Sequence, residues 1–267
     1  MSLPLHVVGP PAAGAIRVGW HSDPLGPPPW SNALPDGTFG NRFDDPSAAD
    51  GIPPEDRFQC VYAGTTAEAA FGETLDQFRV SIDQLNLIAS MVEDVESVEA
   101  LFGDVFDLED PSVPARGIVW ARWREERRLV TAHLDPSLRF ADLASPASLQ
   151  HLQYHLPAAA ARAGLRSADF PAVMDRTNRA FTQACSRYVY DLRDAAEATL
   201  FHGIRYLSRL DPVAWECWAL FVDRIEGSLA SGFPEPIAAT HPALCSVARM
   251  FDLSIKLFEG SRPFYRP

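Results

Sequence analysis

The chain predicts an α+β fold, a compact mixed sheet with a helical insertion. Three observations carry this expectation. Strand-like runs lie in both halves, near 15–20, 58–62, 117–123 and 128–134, and again at 204–208 and 216–222. Residues 145–202 between them carry helical patterning. The stretch 58–73 turns from an apolar, β-prone run into a helix within a few residues.

In chain order, residues 1–15 are rich in Pro, Gly and Ala and read as an extended lead-in. Residues 15–20 are the first strand. Residues 21–57 hold eight prolines, which predicts a long irregular loop, functional or mobile. Phe58 to Tyr62 then form a mostly buried strand that Gly64 breaks, and Thr65 with Glu68 has capping-box spacing for a helix running to Phe78. Tyr62 thus stands near a strand end and Glu73 two turns into the next helix, a junction where rigid elements meet an open loop. Leu85, Ile88, Val92 and Val95 fall at helical spacing in an acidic stretch, so 80–108 reads as an amphipathic helix or helix pair. Residues 117–123 and 128–134 read as a hairpin about a charged turn.

The helical block divides at Pro157 and Pro171 into segments near 149–163, 172–188 and 192–202, with Gly203 as a C-cap. Residues 204–208 and 216–222 return to strand character. Residues 242–258 read as helix and the last eight as loop. One domain over 1–267 is expected, with a core at about 15–222, an insertion at about 145–200 and a helical extension over 223–267.

At 267 residues, 47% hydrophobic and 22% charged, the composition is ordinary for a globular protein. A net charge of -12 argues against nucleic acid as the main partner, since phosphate backbones want a basic face. The four cysteines, Cys60, Cys185, Cys217 and Cys245, have no C-x-x-C spacing, and three of them lie in apolar runs that predict reduced, buried thiols. No basic n-region and no apolar run of spanning length is visible, so a soluble protein of a reducing cytoplasm is expected, with no membrane contact. Phosphate-loop, dinucleotide-fingerprint, zinc-protease and nucleophile-elbow signatures are missing. His151 and His155 are spaced i,i+4, but without a third ligand they read as helix surface, and no metal is expected.

Several weak motifs agree in order and element type. Arg17 lies on the first strand. Arg42-Phe43-Asp44 follows, with Pro46 one residue beyond its usual offset. Tyr62 ends a strand, Glu73 comes eleven residues later on a helix, and Tyr206-Leu207-Ser208 precedes the strand with Trp218-Ala219-Leu220-Phe221. In this the chain resembles the RES domain family, the NAD+-degrading toxins of RES–Xre toxin–antitoxin pairs, whose fold is similar to that of ADP-ribosyltransferases. The resemblance spans about residues 15–222 apart from the helical block. It departs where Val18 stands in place of an aromatic, and in a Glu73-to-Ser208 gap much longer than in minimal members.

The resemblance implies an enzyme that cleaves NAD+, as substrate, at the nicotinamide–ribose bond. Glu73 and Arg17 are the implied catalytic residues, and Arg17, Arg42, Tyr62, Glu73 and Ser208 the implied NAD-binding set. These residue types suit an oxocarbenium-like transition state. A carboxylate, Glu73, steadies positive charge at the ribose and holds a hydroxyl. Arg17 and Arg42 offer cationic forks to the pyrophosphate. Tyr62 gives a ring face to the nicotinamide cation, and Ser208 a hydrogen bond to its amide or to a ribose oxygen.

The residues alone leave other readings open. Periodicity sets Glu73 opposite Phe71, Leu75 and Phe78, as a solvated residue would be, and Arg42 could pair with Asp44 or Asp45. The acceptor, phosphate, water or a protein side chain, is also open, so NAD+ phosphorylase, glycohydrolase and protein ADP-ribosyltransferase all stand beside a non-catalytic nucleotide-binding module. The resemblance implies an Xre-like helix-turn-helix antitoxin as partner. The helical block is a candidate lid, homo-oligomer surface or antitoxin-docking site.

Overall fold

A computed structural model gives the structure of residues 5–80, 82, 86, 117–175, 179–211 and 213–258, and the backbone of 263–265. The helices expected over 80–108 lie almost wholly outside the described residues. Within them the fold is α+β, as expected. In chain order the elements begin with β1 (Val7–Val8), β2 (Ala15–Trp20), β3 (Cys60–Gly64) and α1 (Ala67–Leu75). Next come β4 (Ile118–Val119), α2 (Ala121–Glu125), β5 (Arg127–Leu134) and β6 (Phe140–Asp142). The helical block is α3 (Pro146–His155), α4 (Pro157–Arg162), α5 (Phe170–Met174) and α6 (Arg179–Asp191). The chain continues as β7 (Gly203–Leu207), β8 (Glu216–Phe221), α7 (Val222–Ile225), β9 (Leu229–Ser231) and β10 (Glu235–Pro236). It ends in α8 (Pro242–Met250), β11 (Ser254–Lys256) and β12 (Pro263–Tyr265).

The main sheet runs β1-β6-β7-β8-β3-β2-β5-β10, with β9 also paired to β5. Its pairings are antiparallel except β6 with β7. Parallel neighbours cannot be joined by a tight turn, and α3 to α6 form the crossover between these two. The helical block therefore has a topological reason to be where it is. Strand β8 is buried along both faces: Cys217, Ala219 and Phe221 join the larger core beneath the helices, while Trp218 and Leu220 join a smaller cluster on the other face. Strand β3 alternates the same way, so Tyr62 faces the helical side and Val61 and Ala63 the other. Cys60, Cys185 and Cys217 are buried free thiols and Cys245 is half-buried. Among the described residues no helix is long and apolar enough to cross a membrane.

Several expectations are corrected. Residues 117–134 do not form a hairpin: of 117–123 only Ile118 and Val119 are strand, and β4 pairs with β11 in a separate three-stranded sheet, while the expected second strand is present as β5 but pairs with β2. Ala121–Glu125 is a helix because it buries Trp123 edge-on against Phe78, at 5.7 Å, and closes an Arg122–Glu126 pair at 2.7 Å. Residues 192–202 are not helical. Asp194 accepts hydrogen bonds from Ala196 N and Ala198 N, a local turn that outcompetes the helix, and Arg193 bridges Thr199. The 223–267 extension is not simply helical, since β9 and β10 extend the main sheet at β5. The strand expected from Phe58 begins at Cys60, and the helix cap is Thr66, whose side chain accepts from Ala69 N; Thr65 instead accepts from Trp218 Nε1.

Gly203 is not a helix cap but the first residue of β7, set between Phe140 and Leu220. A Cβ there would lie 2.3 Å from the carbonyl oxygen of Ala219. Gly203→Ala is expected to lower unfolding free energy by about 1–3 kcal/mol, through displaced backbone. Chemical denaturation checks this, and an unchanged midpoint would show that the strands can part at little cost.

Candidate active site

The site is built on the close approach of α1 to the sheet. Cβ atoms at Gly64 and Gly72 would fall 2.6 Å from Ala69 Cβ and 2.1 Å from the Trp215 ring, so glycine at these points lets the helix settle onto β3 and β8. Along α1, Ala69, Phe71, Gly72 and Leu75 are buried, while Glu73 keeps 31% of its side chain exposed. Glu73 is not on a bare outer face. It opens into a cleft of about 300 Å³ lined by α1, β2, β3, residues 40–42, Tyr206, Arg209 and Leu210.

Both Glu73 carboxylate oxygens are held. Ser208 Oγ donates to Oε1 at 2.6 Å, and Arg42 Nη2 stands 3.6 Å from Oε2. Ser208 is fully buried just past β7, and its hydroxyl also accepts from Leu210 N at 3.1 Å. Arg42 is 7% exposed; its Nη1 donates to Met174 O at 3.4 Å, and its guanidinium lies 4.6 Å above the centre of the Tyr206 ring. Burial, with Cys217 and Glu73 near, pushes the Tyr206 hydroxyl well above its ordinary value, so it stays protonated. Arg42 pairs with neither Asp44 nor Asp45, as the structural alternative had it, but with the acid of the cleft.

Tyr62 lines the same cleft. Its hydroxyl donates to Asp44 Oδ1 at 3.0 Å and accepts from Phe43 N at 3.2 Å. Burial and the Asp44 charge raise its pKa well above the phenol range, which keeps it a donor. Asp44 also accepts from Phe39 N, Asn41 N and Asn41 Nδ2. Asp45 accepts from Ser47 N, Phe58 N and Arg187. The segment expected to be a long irregular loop, functional or mobile, is thus folded around its own carboxylates, and its residues 40–42 wall the cleft.

Arg17 stands apart from the other four. Strand alternation puts it on the Ala15 side of β2, with Val18 on the side of the helices. Its Nε, Nη1 and Nη2 donate to the carbonyls of Pro24, Tyr62 and Gly26 at 2.9, 3.0 and 3.3 Å. Burial lowers its pKa to about 10, opposed by Asp23 and Tyr62, so it remains a cation at neutral pH. The structure therefore joins Arg42, Glu73 and Ser208 directly, sets Tyr62 in the same cleft, and gives Arg17 to its edge as a tie between β2, β3 and the 24–26 turn. Sequence reasoning named Tyr206 only as part of a motif and missed Asp76 and Arg209, which also line the cleft. Asp76 had a visible signal, three residues after Glu73 on one helix face.

Comparison with known proteins returns no matching family model, no matching curated protein and no matching solved structure. The RES resemblance accordingly rests on the motifs and their spacing. Among the described residues no group of three or more His, Cys, Asp or Glu side chains could hold a metal.

Ser208→Ala removes the acceptor of a buried amide and one anchor of Glu73. A loss of about 1–3 kcal/mol in unfolding free energy is expected, read by urea titration; Ser208→Thr should lose more than Ser208→Ala only if the added methyl cannot be housed.

Proposed function

We propose that the chain binds NAD+ and cleaves its nicotinamide–ribose bond. The observation that supports the reading is Glu73: a partly exposed carboxylate, fixed at both oxygens by residues far apart in the chain, beside a phenol in a small cleft. A volume of about 300 Å³ sits at the low end for small-ligand sites, which suits one nucleotide half with the remainder reaching outward.

In this reading the C1′–N bond breaks with its electron pair passing to the nicotinamide nitrogen, which neutralises the pyridinium. The ribose is left oxocarbenium-like. Glu73 sits beside C1′, where its charge stabilises the developing cation and its free lone pairs accept a ribose hydroxyl. Ser208 and Arg42 keep that carboxylate from rotating away, so little reorganisation remains at the moment of cleavage. Tyr62 offers its ring to the nicotinamide and is itself held by Asp44. Arg42 Nη1, whose bond to Met174 O is long at 3.4 Å, can exchange it for a shorter one to a phosphate oxygen while Nη2 stays beside Glu73. Arg17 adds fixed positive charge at the cleft edge. Attack of phosphate or water on C1′ then completes the reaction, yielding ADP-ribose 1-phosphate or ADP-ribose with free nicotinamide. An Xre-like helix-turn-helix antitoxin would silence the enzyme by covering the cleft, and a cytoplasmic setting supplies the NAD+.

Purified protein incubated with NAD+, with and without phosphate, is expected to release nicotinamide, and Glu73→Gln should slow release by about 100-fold or more. Dependence on phosphate separates phosphorolysis from hydrolysis. No release with phosphate, water or added acceptor protein would overturn the reading. Arg42→Ala should weaken NAD+ binding more than Arg42→Lys, with lysine short of full rescue because it lacks the planar fork that stacks on Tyr206. Calorimetric titration checks this; equal affinity in all three proteins would mean Arg42 does not touch the phosphates.

A further inference from the structure

The cleft holds a third arginine whose situation differs from that of the other two. Arg17 is committed to three carbonyls, and Arg42 is nearly buried behind Glu73. Arg209 is 38% exposed, lines the cleft, and meets Asp76 Oδ2 through Nη2 at 2.6 Å. Among the described residues its Nε and Nη1 take no hydrogen-bond partner. Asp76 is almost fully buried, and Arg79 Nη1 stands 3.4 Å from its other oxygen. Asp76 is therefore not left as an uncompensated buried charge if Arg209 lets go, which is what normally makes breaking such a pair expensive.

Position adds to this. Ser208 and Arg209 are consecutive, and they latch onto Glu73 on α1 and onto Asp76, three residues later at the start of the 3-10 turn that continues it. Three residues correspond to ~4.5 Å along a helix axis, comparable with the reach across a ribose from C1′ to its 5′ phosphate. A ribose seated at Glu73 would thus carry its phosphate toward Arg209.

We infer that Arg209 is a specificity-determining residue that exchanges Asp76 for a phosphate of the substrate, so that the cleft selects nucleotides over nucleosides. The inference rests on the NAD+ reading of the cleft. Released from Asp76, the guanidinium can give a phosphate two parallel N–H donors, while Arg79 keeps Asp76 neutralised. A free Arg209 is then present only when ligand is bound, and in the empty site the Asp76 pair holds residues 208–210 against α1.

The test compares NAD+ with nicotinamide riboside, which lacks phosphate, on the unsubstituted protein, Arg209→Ala and Arg209→Lys. Loss of a charged hydrogen bond predicts roughly tenfold or more weaker NAD+ binding in Arg209→Ala, with riboside binding unchanged and Arg209→Lys between. If Arg209 is only a latch for residues 208–210, Ser208 and Glu73 would shift and both ligands would lose equally; that result overturns the inference, as does full NAD+ affinity in Arg209→Ala. Should the unsubstituted protein bind neither ligand, the NAD+ reading falls and takes this one with it. NAD+ binding by the unsubstituted protein with no effect at Arg209 removes the inference alone.

Discussion

The hydrogen bond from Ser208 to Glu73 joins residues 135 positions apart, and the site depends on it. It ties the end of β7 to the second turn of α1, and it can form only because α1 lies so near the sheet. Glycines at 64 and 72 permit that approach, and Thr66 caps the helix at the depth where its second turn meets residue 208. A bulkier residue at either glycine would lift the helix and take Glu73 out of reach of both Ser208 and Arg42. The packing of small residues is therefore upstream of the electrostatics.

A second constraint organises the opposite wall. A proline-rich stretch without regular structure ordinarily stays loose, because its backbone groups have no ladder to join. Here Asp44 and Asp45 act as internal acceptors for the amides of Phe39, Asn41, Ser47 and Phe58. Asp44 pays a desolvation cost that raises its pKa, offset by the donors around it, Tyr62 among them. The same carboxylate that folds the segment also fixes the phenol in the cleft.

How much of this the sequence disclosed follows from the range of the interactions involved. Tyr62 and Glu73 were legible because strand alternation and helix spacing are local, and the motif order singled out Arg42 and Ser208 although their partners are remote. What local pattern could not reveal was which groups would meet. Periodicity set Glu73 opposite Phe71 and Leu75, and it could not say that residues 206–210 would fold over that face. Arg17, on a short apolar strand, was visibly in need of partners, yet its partners are backbone carbonyls, which carry no sequence signature. The misread segments share a cause as well. At 117–123 an apolar run resembled a strand, and at 203 a glycine after helical patterning resembled a cap. In both, tertiary packing settled the matter: Trp123 against Phe78 in the first, the Ala219 backbone against Gly203 in the second.

The helical block has a place in the same logic. As the crossover between parallel β6 and β7 it must lie over one face of the sheet, and it does so against the back of the 41–47 segment. Met174 O receives Arg42, Gln183 Nε2 donates to Asn41 O at 3.0 Å, Ser186 Oγ donates to Phe43 O at 2.8 Å, and Arg187 holds Asp45 and Ser47. Swinging the block away as a lid would break these contacts together, among them the buried bonds of Arg42 to Met174 O and of Ser186 Oγ to Phe43 O. The block's inner face is better understood as a buttress that holds Arg42 at the depth where it can reach Glu73.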